Sequence, residues 1–241
     1  MTADRKRSQR LEYMGAMAAG LAHEIKNPLS TMSVNLQLMA EDYAETDSAL
    51  GQRTLKRARL LLGEVKRLDG IVNDFLKLVR GYELSTETVD LELLIADLLR
   101  FVEPENARLS VEVRFLPDAG ARLVHADKNL LRVALMNLVV NAQQAMEADG
   151  GELLIETHGR ENDVEVVVTD TGPGIPSDQH QKILQPWYST KKGGTGLGLP
   201  MARRMIEEMG GELRMQSELG RGTRFRVTVP RAPRALPESS S

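Results

Sequence analysis

The chain has 241 residues, no cysteine and a formal net charge of −3. That length allows one large domain or two modest ones, the missing thiols exclude disulfides and thiolate zinc sites and point to a reducing cytoplasm, and the near-neutral balance gives no reason to expect nucleic acid. No apolar run approaches the roughly 18 residues that cross a bilayer, and the start MTADRKRSQR leads into no secretory apolar segment, so a soluble cytoplasmic protein without a membrane span is expected.

Charge is uneven along the chain. Residues 1–80 carry 13 Lys/Arg against 10 Asp/Glu, and the remainder carries 18 against 24, which fits two units of different character. In residues 8–43, Met14, Met17, Leu21, Ile25, Pro28, Met32, Leu36 and Met39 step mostly by 3 and 4, as on one helix face. AETDSALG (44–51) breaks the pattern and offers Asp47 and Ser48 as caps for a second helix. There Leu61, Val65, Leu68, Val72, Phe75 and Val79 form a heptad seam. Two such helices make an antiparallel hairpin, and two hairpins bury the seam as a four-helix bundle, so a homodimer is predicted. Within the first helix, LAHEIKNPL (21–29) places His23, Glu24 and Asn27 just before Pro28, and a proline inside a helix costs about 3 kcal/mol.

From Gly81 the pattern changes. GYELSTETVD reads as a polar linker, followed by a helix over about 90–103, a strand at 111–115 and a helix at about 126–148. LLIET (153–157) and VEVVVTD (164–170) flank a hairpin turn; a glycine-rich stretch fills 172–198 and a helix follows over about 197–209. GELRMQS (211–217) and TRFRVTVP (223–230) close the fold as a hairpin, and RAPRALPESSS (231–241) reads as a disordered tail. Helices with mostly antiparallel strands make the second unit an α+β sandwich. The domain boundaries predicted are 1–82, 83–230 and the tail 231–241.

Four clusters in this second unit have the makings of one site. Asn137 and Asn141 lie four apart on a helix, where two amide oxygens can ligate a hard cation such as Mg²⁺; a plain polar helix face is the other reading. Asp170 ends a very apolar strand in DTGPGIP, and a carboxylate there needs a donor such as an adenine amine, with Gly172 and Gly174 letting the backbone approach; an ordinary turn capped by Asp is the alternative. Gly193-Gly-Thr-Gly-Leu-Gly198 opens onto a helix N-terminus, which suits phosphate, with Lys191 and Lys192 upstream; a mobile hinge is the alternative. It is neither a P-loop, because no GK[ST] follows, nor a Rossmann fingerprint. Gly220-Arg-Gly-Thr223 is by itself a hairpin turn.

NLVVNA, DTGPGIP, GTGLGL and GRGT occur in the order of the N, G1, G2 and G3 boxes of the ATP-binding fold shared by histidine kinases, gyrases, mismatch-repair ATPases and some chaperones. LAHEIKNPL resembles the H box of sensor histidine kinases and PWYSTK (186–191) their F box; the short lid is most similar to kinases of the nitrogen-regulation type. The resemblance covers roughly residues 11–230. It implies a helical dimerisation hairpin followed by an α/β sandwich of the Bergerat (GHKL) type. It further implies an autophosphorylating histidine kinase of a two-component system, with ATP and Mg²⁺ as cofactors and a response-regulator receiver domain as partner. His23 would be the phospho-acceptor, Glu24 would orient its ring, and Asn27 would position water to dephosphorylate the regulator. Ser30, Thr31 and Val34 would lie in the regulator's docking region. Asn141 would ligate Mg²⁺ with Asn137 in support, and Asp170 would read adenine with Thr223 beside it. Gly172, Gly174, Gly194, Thr195, Gly196, Leu197 and Gly198 would shape pocket and lid, and Lys191 would touch phosphate. Two departures stand out: Trp187 and Tyr188 replace phenylalanines, and Gln144 stands where some relatives carry a phosphate-binding Lys or Arg. No sensor is evident before the H box, which leaves three readings: a piece of a longer protein, a free-standing kinase driven by a separate sensor protein as partner, or a kinase switched through its N-terminal helix. Two rivals remain, an ATPase or serine kinase on the same fold and a non-catalytic dimeric adaptor.

Overall fold

The computed structural model describes residues 24–45, 48–80, 82–191 and 194–233. His23, the helical pattern before it, Asp47, Lys192, Gly193 and the tail from 234 lie outside the described residues. The chain divides into two units, Met1–Gly81 and Tyr82–Ser241.

In the first unit, α1 is helical from residue 24 to 42 and α2 spans Ala49–Arg80. Pro28 does not interrupt α1. The Ser48 hydroxyl accepts the Gly51 N–H at 3.0 Å and so caps α2. The strips that the single chain covers differ from the predicted seam. On α2 they run through Leu55, Ala58 and Val65, and on α1 through Leu29. Leu61 and Leu68 of the seam stay exposed, as do Ile25, Met32 and Met39. The reason is geometric: a bundle helix needs one strip for its own hairpin and a second for another pair of helices, and the apolar spacing merges the two.

The second unit is a five-stranded sheet covered on one face by three helices. β1 (Glu87–Asp90) leads into α3 (Leu91–Leu109), β2 (Val111–Leu116), β3 (Leu123–Ala126), α4 (Lys128–Ala145), β4 (Gly151–Gly159), β5 (Asp163–Asp170), α5 (Gly198–Glu208), β6 (Glu212–Glu218) and β7 (Gly222–Pro230). The sheet order is β2-β4-β5-β7-β6, with β2–β4 parallel and the other pairs antiparallel. Strand alternation sends Ile155, Val166, Val168, Phe225 and Val227 inward, all nearly fully buried. Truncating Phe225 to alanine costs about 3–5 kcal/mol.

Three local features depart from the sequence expectation. The presumed linker contains β1, which pairs with β3; both strands are four residues long, too short for a period to show. α3 runs through Pro104 to Leu109, because Asn106 and Leu109 beyond the proline are buried and hold the last turns down. Arg231 and Ala232, read as tail in the sequence, are held against the sheet: Arg231 bridges to Val124, and the Ala232 N–H donates to the Leu123 carbonyl. Asp127 organises the entry to α4. Its Oδ1 accepts the Asn129 and Leu130 N–H groups, and its Oδ2 accepts that of Ser85, each at 3.0 Å. Burial pulls this carboxyl upward, but the three backbone N–H groups outweigh it and hold the group below its usual range.

Candidate functional site

A cavity of about 620 Å³ opens between α4, the loop after β5, residues 188–191 and 194–196, and the start of α5, a size ordinary for a small-molecule site. Asn137, Val140, Asn141 and Gln144 of α4 form one wall, one turn apart as the helix period dictates. Leu138 and Val139 between them are fully buried, which fixes the roll of α4 and points the amides outward. Gly174 to Pro176 form a second wall, and Thr223 of β7 lines the floor.

Asp170 sits behind that floor, 2 % exposed. Its Oδ1 accepts the Gly172 N–H at 3.0 Å and the Thr223 N–H at 3.2 Å. Burial pushes this carboxyl up; the two N–H groups and the Lys191 charge only partly offset it. Gly172 is buried against Ala145 and Asp170, where a Cβ would approach both to 3.0 Å. Gly174 has φ of +72°, and a Cβ there would run into the Glu218 carbonyl.

The predicted phosphate elements split into two groups. Gly194, Thr195, Gly196 and Gly198 line the cavity. Leu197 does not: its side chain is fully buried in the core, and it serves as the residue before α5. The first N–H groups of α5 have no acceptor within the helix and meet the cavity at Gly198 and Leu199. A Cβ at Gly198 would come within 2.9 Å of Asn137 Oδ1, so the glycine lets the helix start approach α4. At the other end of this segment, the Trp187 N–H donates to the Gly196 carbonyl at 3.2 Å, with Trp187 held at φ +69°; a left-handed conformation costs a non-glycine residue about 1 kcal/mol or more.

Lys191 reaches across the cavity to α4. Its ammonium donates to Asn141 Oδ1 at 2.6 Å, Gln144 Oε1 at 2.9 Å and the Asn141 carbonyl at 3.2 Å. Burial pushes this ammonium down to about 8, against the pull of Asp170 and Glu147. Three oxygens therefore converge on one positive charge, an arrangement that also fits a hard divalent cation. Among the described residues, no group of three or more His, Cys, Asp or Glu forms a metal cluster; these amide oxygens supply the donors. Gln144, the departure noted in the sequence, is one of the three.

In the helical unit, Glu24 and Asn27 are exposed on α1, as are Ser30, Thr31 and Val34. The Thr31 hydroxyl donates to the Asn27 carbonyl at 3.2 Å. Sequence reasoning missed Ser217 of β6, whose Oγ accepts the Ile175 N–H at 2.8 Å and lies 2.8 Å from the Gly222 carbonyl and 3.0 Å from Thr223 Oγ1. The signal was available: counting in twos from inward-facing Leu213 and Met215 puts this serine on the inner face. It also missed the buried amide pair in which Gln143 Nε2 donates to Asn106 Oδ1 at 2.7 Å.

A sandwich whose cavity is walled by amides, glycines and a helix start defines a nucleotide-binding type of domain. Residues 126–233 match the family described as histidine kinase-, DNA gyrase B-, and HSP90-like ATPase, and residues 13–81 match the His Kinase A (phospho-acceptor) domain. The chain belongs to the histidine-kinase transmitter family. It is 34 % identical over 225 residues to sensor histidine kinase ZraS of Salmonella typhimurium, covering 93 % of this chain and 47 % of that protein. It is 32 % identical over 228 residues to sporulation kinase C of Bacillus subtilis, covering 93 % and 51 %. The chain thus spans about half the length of the curated relatives it matches. Among solved structures it resembles full-length ShkA in complex with AMPPNP, with a TM-score of 0.78 and 28 % identity over 92 % of this chain and 47 % of that one. It also resembles histidine kinase ThkA in complex with response regulator protein TrrA, with a TM-score of 0.66 and 28 % identity over 95 % and 65 %. No helix among the described residues is long and apolar enough to cross a membrane.

Proposed function

We propose that this chain binds ATP in the α4–β5–α5 cavity and transfers its γ-phosphoryl group to His23. From there the group passes to an aspartate of a response regulator. The observation that carries the reading is the convergence of Thr223, Asn141, Gln144, Lys191 and the α5 start on one cavity, in a chain that also matches the phospho-acceptor family. Adenine fits the Asp170–Thr223 end, where a carboxylate and a hydroxyl supply acceptors. The phosphates fit the other end, where the N–H groups of Gly198 and Leu199 and the Lys191 ammonium supply positive charge. Asn141 and Gln144 would hold Mg²⁺, whose charge, when it is bound, offsets that of the β- and γ-phosphates. The unprotonated ring nitrogen of neutral His23 attacks the γ-phosphorus, the bond to the ADP oxygen breaks, and the proton on the other ring nitrogen moves toward Glu24.

The exposed apolar residues Ile25, Met32 and Met39 of α1 and Leu61 and Leu68 of α2 support a homodimer through a four-helix bundle. The exposed Ser30, Thr31 and Val34 support docking of a receiver domain beside His23, with Asn27 placed one helical turn on to position water for dephosphorylation of the regulator. A cytoplasmic location accords with the cysteine-free sequence. Incubation with radiolabelled ATP and a panel of receiver domains tests the reading. Label should appear on the chain and then move to one receiver. ATP binding without transfer to the chain would favour an ATPase or an adaptor.

A further inference from the structure

The proposed adenine pocket has a third strand behind it that no motif reports. β6, β7 and β5 lie side by side, and their register sets Ser217 opposite Thr223 and Thr223 opposite Asp170. The three side chains form one row of hydroxyl, hydroxyl and carboxylate leading to the cavity floor.

Proton counting fixes how that row is wired. Ser217 Oγ has one proton and two lone pairs. The Ile175 N–H can only donate, and it gives its proton to Ser217 Oγ at 2.8 Å. The Gly222 carbonyl can only accept, and it takes the Ser217 proton at 2.8 Å. Ser217 then has a single lone pair left for Thr223 Oγ1, 3.0 Å away. Thr223 must therefore be the donor in that contact. Its proton is turned toward β6, and only lone pairs remain for the cavity it lines. Asp170, ionised, also offers only acceptors.

We propose that Ser217 is a positioning residue that sets purine specificity by holding the Thr223 hydroxyl as an acceptor. The inference rests on the ATP-binding reading above. Two adjacent acceptors suit the amine on adenine C6, which donates, and oppose the oxygen on C6 of guanine and hypoxanthine, which accepts. Freed from Ser217, the Thr223 hydroxyl would rotate and donate to that oxygen while Asp170 accepts the neighbouring ring N–H. Ser217 touches no nucleotide in this account; it acts through Thr223.

The test compares ATP, inosine triphosphate and GTP by titration into the full chain and into Ser217→Ala. Wild type should favour ATP strongly, and Ser217→Ala should lower the ATP-to-inosine-triphosphate affinity ratio by about tenfold or more. Ser217→Cys, which keeps the side chain's connectivity but accepts poorly, should shift the ratio in the same direction and covers the case that the alanine variant fails to fold. Equal weakening of all three nucleotides, with the ratio unchanged in either folded variant, would show a merely structural serine and overturn the inference while leaving ATP binding intact. Failure of wild type to bind any of the three would overturn the nucleotide reading itself, and this inference with it.

Discussion

The two units solve opposite problems. The sandwich builds its core by itself: Leu153, Val164, Val166, Ile206 and Val227 are all at 0 % exposure, and the described lining of its cavity comes from this one unit. The helical hairpin leaves Met32, Leu61 and Leu68 each at 45 % exposure or more, so its stability and its chemistry wait on other surfaces. In such a chain the nucleotide unit can be tested alone by what it binds, whereas the acceptor unit is defined by what it meets.

Asp170→Asn should cut that contrast most sharply. The amide keeps an oxygen for the Gly172 and Thr223 N–H groups but replaces a carboxylate acceptor, so affinity for an ATP analogue should fall by about 1,000-fold in calorimetric titration. Because burial raises the Asp170 pKa, its charged form costs stability at neutral pH, and that cost disappears as pH falls and the group protonates. The variant should therefore melt a few degrees higher at pH 7, roughly the shift that 1 kcal/mol produces, even as it loses ligand. The same sign makes wild-type ATP affinity drop on the acid side before an ordinary aspartate would protonate, while the variant stays flat there.

Leu61→Asp with Leu68→Asp attacks the other region. Charging two residues of a buried seam should raise the dimer dissociation constant by about 100-fold, read by sedimentation, and should leave analogue binding unchanged. An unchanged dimer would mean that these leucines face solvent in the assembly. Gln143→Leu strands the Asn106 amide in the core and should destabilise the sandwich by about 2 kcal/mol. Denaturation followed through Trp187, the single tryptophan of the sequence, reads that loss, and adding Asn106→Leu should recover much of it. Lys191→Ala should have the smallest effect, an approximately tenfold weaker affinity for ATP with little change for adenosine, because one charge-assisted contact to phosphate is lost.

How much was legible followed the physics of each signal. That Asn137 and Asn141 share a face could be read because helix spacing dictates it, and that Asp170 needs donors because a carboxylate closing the apolar run VEVVV is buried. Long apolar helices declared themselves through their period, although the period alone could not separate the strip facing the same chain from the strip left open. β1 and β3 stayed hidden because four residues are too few for a strand period to show, and the last turns of α3 because Pro104 argues locally against a helix that burial of Asn106 and Leu109 sustains. Ser217 and the Asn106–Gln143 pair depend on partners 37 or more residues apart or on another strand, which no local rule sees; only the inward parity of Ser217 hinted at it.

The claim on which the rest depends is that a histidine in the helical unit receives phosphorus from the nucleotide held by the sandwich. Incubation with γ-labelled ATP, followed by acid and alkali treatment and peptide mapping, addresses it directly. The account predicts an acid-labile, alkali-stable label confined to the peptide containing His23, abolished in His23→Gln while analogue binding persists; an acid-stable label, or one that survives that substitution, would contradict it.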